Sequence, residues 1–175
     1  MQVALRLSFQ QRAYGEVLWQ DMQTRYGETD NPDYWRQRMQ RRAYQGAIIE
    51  HLLGAARSLA QAILKQQAET RFVDAGALAL CDISSLLQEQ DYLSSTAQGL
   101  LSALLEGHMG QLQTAQKVFA KGVSGQSSTA GADEGQTIGL LASDNLEEPD
   151  NWPIGQWLRD LKELQESTQA ELLEY

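Results

Sequence analysis

With Cys81 as its single cysteine, this 175-residue chain forms no intrachain disulfide and no thiolate metal cluster, and a reducing compartment suits it. Its two histidines, His51 and His108, are too few and too scattered for a structural zinc site. Neither has a glutamate three residues before it, so the Glu-x-x-His motif of a di-iron bundle is missing. The Arg-x(4 to 6)-His spacing of helical ribonuclease domains is missing around both as well. Neither G-x-x-x-x-G-K-[ST] nor G-x-G-x-x-G occurs, which removes the common phosphate loops. The segment GVSGQSS lacks the G-x-S-x-G spacing of a nucleophile elbow. No cofactor and no metal are therefore expected. No window approaches 18 uncharged apolar residues, and MQVALRLSFQQR is too short and too polar for a signal sequence. The expected location is the cytoplasm, with no membrane partner.

Proline is as scarce as cysteine. Pro32, Pro149 and Pro153 are the only three, and each sits where a helix can begin rather than inside one. Val, Ile and Thr are sparse, whereas Ala, Leu, Gln, Glu and Arg fill the chain, and these are good helix formers. The composition predicts an all-α fold, a mostly antiparallel bundle of four to six helices. At this length one domain buries a real core without staples.

The net charge of -9 is local. Residues 1–132 are balanced at 12 bases and 12 acids, while residues 133–175 hold Arg159 and Lys162 against 11 acids. Such a surface repels nucleic acid and anionic membrane, so a nucleic-acid partner is not favoured.

The organising stretch is Asn31 to Gln67, where Asn31 can cap, Pro32 fits the first helical position and Asp33 complements the dipole. Its length of about 50 Å leaves room for a break near the glycines. Trp35, Met39, Ala43, Gly46, Leu53 and Ala60 make one seam, with Tyr44, Ile48, Leu52, Leu59 and Ile63 on an adjoining face. Gly46, Ala47, Gly54, Ala55 and Ala56 make its middle slim, so the tightest helix crossing is expected there. Before it, a helix ending near Arg25 presents Leu7, Ala13 or Tyr14, Val17, Leu18 and Met22, with Gly27 as the stop.

Downstream, AGALALCDISSLLQ predicts a third helix capped by Asp74 with Leu78, Cys81 or Asp82, and Leu86 inward. Ser94, Ser95 or Thr96 caps a fourth, which the Gly107/Gly110 pair bends or splits. The bundle is expected over 1–122. Residues 123–145 read as a flexible linker, glycine-rich to Gln136, followed by the apolar strip IGLLASDN. Residues 146–175 read as an acidic amphipathic helix capped by Asp150 or Asn151, whose Ile154, Trp157, Leu158, Leu161, Leu164, Thr168, Leu172 and Tyr175 recur at about 3.5 residues and dock on the bundle or pair with another chain.

Candidate binding residues all fall on the long helix. Arg38, Arg41 and Arg42 project to one side as the only local basic patch, suited to an acidic partner or to pairing with the acidic C-terminal region. Glu50 and Arg57 lie seven residues apart on one face, beside His51, and are expected to pair if buried, because an unpaired internal carboxylate is costly.

The stretches YQGAIIEHLLGAARSLAQAI and LLEGHMGQLQTAQKVF, with WLRDLKELQ following IGLLASD, resemble a family of small proteins from Pseudomonas and related gammaproteobacteria, a domain of unknown function. That resemblance implies a bacterial helical protein and assigns no role to any residue. The reading that fits the residues best is a non-enzymatic cytoplasmic protein working through protein-protein contacts or as a homodimer. The alternative is a helical small-ligand or nucleic-acid-associated module using the Arg36–Arg42 patch.

Overall fold

The computed structural model describes residues 2–26, 34–67, 79–123 and 149–173. All of the elements in them are helical: α1 (Gln2–Tyr26), α2 (Tyr34–Gln67), α3 (Leu80–Gln88), α4 (Ser95–Leu105), α5 (Met109–Val123), a 3-10 turn at Pro149–Asn151, and α6 (Ile154–Leu173). The expected linker, the apolar strip, the Asp74 and Asn31 caps and the Gly27 stop lie outside the described residues, as does the side chain of Trp35.

Paired contacts give the directions. Between α1 and α2, Ser8 meets Ala55, Gln11 meets His51 and Tyr26 meets Gln40, so one number falls as the other rises and the helices are antiparallel. On α6, Gln165 meets Ser8 and Arg12, and Gly155 lies against Trp19, again antiparallel to α1. α5 runs antiparallel to α2 through Phe119 beside Gly46 and Gln116 on Glu50. Ser95 on Glu171 and Gly99 on Leu164 set α4 antiparallel to α6.

α2 is the hub, touched by α1, α4, α5 and α6. Ile48, Ile49, Leu52, Leu53, Leu59 and Ile63 are at most 1% exposed, and burial of each such side chain contributes roughly 1.5–3 kcal/mol. The stretch Arg36–Gln66 is long and apolar enough to cross a membrane by length and composition, and more than half of its most apolar window is inside the bundle. No break occurs at the glycines, because neighbours occupy the space they leave. Phe119 packs on Gly46, Gln11 lies beside Gly54, and the Ser8 hydroxyl donates to the Ala55 carbonyl at 2.8 Å.

The expected seam fails at its N-terminal end, where Met39 is 71% exposed and Ala43 is also open. The α2–α5 pairing explains it: with Gly46 opposite Phe119, Met39 falls beyond Val123, where α5 ends. In α1 the inward face is Ala4, Leu5, Ser8, Gly15 and Met22, whereas Leu7, Tyr14 and Val17 point outward. Two partners meet α1 on one side, and small residues there let both approach closely.

The short helices start on local hydrogen bonds. α3 begins at Leu80 with Asp82 accepting from the Ala79 amide at 3.3 Å, and its buried face is Leu80, Ile83 and Leu87 rather than the expected Cys81 or Asp82 and Leu86, while Leu78 lies outside the described residues. The Ser94 hydroxyl accepts from the Ala97 amide at 3.3 Å, a cap that contributes about 1 kcal/mol. Glu171 from α6 adds a carboxylate at the same terminus, accepting from the Thr96 amide at 3.3 Å. α4 and α5 are separate helices, and Gly110 is required at the turn because a Cβ there would run into the Leu104 carbonyl. α6 is preceded by Pro153, whose carbonyl accepts from the Gln156 and Trp157 amides. Asp150 therefore does not cap it and is free to bond elsewhere.

Candidate functional site

The six residues singled out on α2 do not converge. At 100° per residue the helix sends them to different neighbours. Arg41 reaches the 3-10 turn, where its Nε donates to Asp150 Oδ1 at 3.2 Å, and the buried Gln45 amide donates to the same oxygen at 2.9 Å. Arg38 and Arg42 are half-buried, and Arg36 is exposed. One member of the basic patch is thus tied to the acidic C-terminal region.

Glu50 is exposed and accepts from Gln116 Nε2 of α5 at 2.7 Å. The expected core pair with Arg57 is therefore not formed: Glu50 has left the core and found an amide partner. The Arg57 Nε is enclosed and has no hydrogen-bond partner. His51 turns the other way, with Nδ1 2.6 Å from Gln11 Oε1 of α1 and its ring tilted against Tyr14 at 5.6 Å between centroids.

A second polar group spans the top of the α1–α2 hairpin. The Tyr44 hydroxyl donates to Asp21 Oδ2 at 2.5 Å, and Arg25 Nε donates to Asp21 Oδ1 at 2.8 Å. The Tyr44 hydrogen bond first, then Arg25, holds the Asp21 carboxyl below the usual carboxylate range. The same hydrogen bond pushes the Tyr44 phenol up, and Asp21 raises the Arg25 guanidinium. These groups fasten two helices at a partly exposed surface.

A shallow groove of about 540 Å³ lies between the start of α1 and the end of α6, lined by Gln2, Leu5, Arg6, Phe9, Gln169 and Leu173. Neither Glu50 nor His51 borders it. Among the described residues no group of three or more His, Cys, Asp or Glu is placed to hold a metal ion. Comparison with protein-family models, with curated proteins and with solved structures finds no match.

What the residue spacing placed inside and the fold places outside is the more informative surface. Leu7, Tyr14 and Val17, expected to face inward, are 43%, 48% and 62% exposed, and Val3 beside them is 81% exposed, all on the side of α1 turned away from α6. The periodic apolar stripe itself was visible in the sequence, but it was assigned to the inside. Periodicity alone does not say which of two stripes a neighbour will cover.

Proposed function

We propose that this chain is a non-catalytic cytoplasmic protein that works through protein-protein contacts, with self-association as a homodimer the form that its surface favours. The observation that carries this reading is the row of exposed Val3, Leu7, Tyr14 and Val17 on α1. Single exposed apolar residues are ordinary, but a row along one helix is a feature of interaction surfaces. The Arg36–Arg42 patch supports a ligand or nucleic-acid module less well, because Arg41 is already bonded to Asp150 and the chain is acidic.

Light scattering on the full chain at rising concentration tests the reading. A molar mass moving from one chain toward two supports it. A single-chain mass throughout, with the α1 row still open to solvent probes, removes self-association.

A further inference from the structure

The groove between the start of α1 and the end of α6 joins two kinds of surface. Its apolar part is Leu5, which is buried, Phe9, which is half-buried, and Leu173, which is 80% exposed. Its polar part is Gln2, Arg6 and Gln169, and among the described residues none of these three side chains enters a hydrogen bond or an ion pair. The neighbouring charges are engaged. Arg12 is bonded to Glu16 and Gln165, and Lys162 of α6 lies 3.9 Å from Glu166. The first fifteen residues hold Arg6 and Arg12 and no acid, so this end of an acidic chain is locally basic.

We propose that this groove binds a free fatty acid of about eight to ten carbons as its anion, the carboxylate on Arg6 and the chain against Leu5, Phe9 and Leu173. The site is independent of self-association, since no residue of the exposed α1 row lines it.

One unpaired guanidinium matches one negative charge, and its planar fork suits a carboxylate through two parallel hydrogen bonds. A carboxylate has further lone pairs to satisfy, and the Gln2 and Gln169 amides line the same groove as donors for them. An ion without a tail leaves Phe9 and Leu173 in water, and a neutral chain leaves Arg6 unused. Only an amphipathic anion meets both halves. The groove follows α1 from Gln2 to Phe9, about 10 Å at 1.5 Å per residue. An extended saturated chain advances about 1.2 Å per bond, as the polypeptide backbone does, so about eight to ten carbons match that length. The groove's volume of about 540 Å³ lies within the roughly 300–1,000 Å³ of small-molecule sites.

The test titrates decanoate into the full chain below its micelle-forming concentration and follows backbone amide shifts by NMR, with decan-1-ol and acetate as controls. Saturable shifts are expected in residues 2–9 and 169–173, with weaker binding of decan-1-ol and none of acetate. Octanoate should bind severalfold less tightly than decanoate, because each buried methylene contributes. Arg6 and Leu173 are both exposed, so the fold does not depend on them. Arg6→Gln should weaken decanoate about fivefold and leave decan-1-ol unchanged, and Leu173→Glu should weaken decanoate by setting a like charge beside it. Shifts that never saturate, or that are confined to other helices, overturn the proposal. Decan-1-ol bound as tightly as decanoate, or decanoate bound equally by Arg6→Gln, overturns it too, since the groove would then select no charge.

Discussion

The Tyr44 hydroxyl donates to the Asp21 carboxylate at 2.5 Å across the α1–α2 hairpin, and Arg25 holds the other carboxylate oxygen at 2.8 Å. Asp21 is lowered by this arrangement, so folding binds fewer protons there than the unfolded chain does. Its contribution is complete above the ordinary carboxylate value and is lost as the pH falls through the lower folded value. Tyr44 is raised, so its contribution is complete below the ordinary phenol value and is lost as the pH climbs through the higher one. Urea midpoints measured over a pH series should decline at both extremes, and Tyr44→Phe should flatten both declines. Parallel curves for the two proteins would show that the hydrogen bond does not link α1 to α2 in solution.

The same substitution at two glycines of α2 should have opposite signs. A Cβ on Gly54 meets only Gln11, at 3.6 Å, an ordinary contact. Gly54→Ala should therefore stabilise by about 0.5–1 kcal/mol through helix propensity alone. A Cβ on Gly46 lies 2.7 Å from the Phe119 ring, which must shift. Overpacking of this kind costs about 1–3 kcal/mol, more than the propensity gain, so Gly46→Ala should destabilise. Chemical denaturation of the two variants decides it, and two shifts of equal sign would refute the α2–α5 approach.

Gln165 is wholly buried and bridges three helices, donating to Ser8 Oγ at 2.7 Å and accepting from Arg12 Nε at 2.8 Å while Ser8 donates to Ala55. Gln165→Leu strands two of these partners and should cost about 2 kcal/mol. Adding Ser8→Ala should cost less than the two single effects together, since the residues act as one network. Strict additivity in a double-mutant cycle would mean that the bridge is absent.

At the other end of α2, Asp150 accepts from both Arg41 and Gln45. The Arg41 pair is partly open to solvent, at 27% and 44% side-chain exposure, so Arg41→Ala should cost only about 0.2–1 kcal/mol and less in high salt. Asp150→Ala also deprives the buried Gln45 amide and should cost about 1–2 kcal/mol. The reverse order of the two would show that the ion pair, not the amide bond, fastens this turn.

The all-α architecture was legible because helix formers dominate and proline stands only at helix starts. Within it, Ile48, Leu52, Leu59 and Ile63 were readable as core, since four helices surround α2 and cover both apolar stripes from Ile48 onward. α1 was not readable in the same way. It presents one small, partly polar stripe built on Ala4, Ser8 and Gly15 and one large apolar stripe built on Leu7, Tyr14 and Val17, and hydrophobicity ranks them wrongly. Close approach to α2, at Gly15 against Leu52, and the Ser8–Gln165 bridge decide the matter, and the bridge depends on α6, more than a hundred residues away in sequence. The Glu50–Arg57 pairing misled for a related reason: α5 supplies Gln116, a partner that spacing along α2 does not reveal.

That bridge joins residues 157 positions apart, while the α1–α2 hairpin needs only short-range closure. The entropy of closing a loop grows slowly with its length, but it must be met before the contact forms. The hairpin should therefore assemble early, with α6 arriving as the last strut. Amide exchange in α6 should then report partial openings that leave the centre of α2 protected.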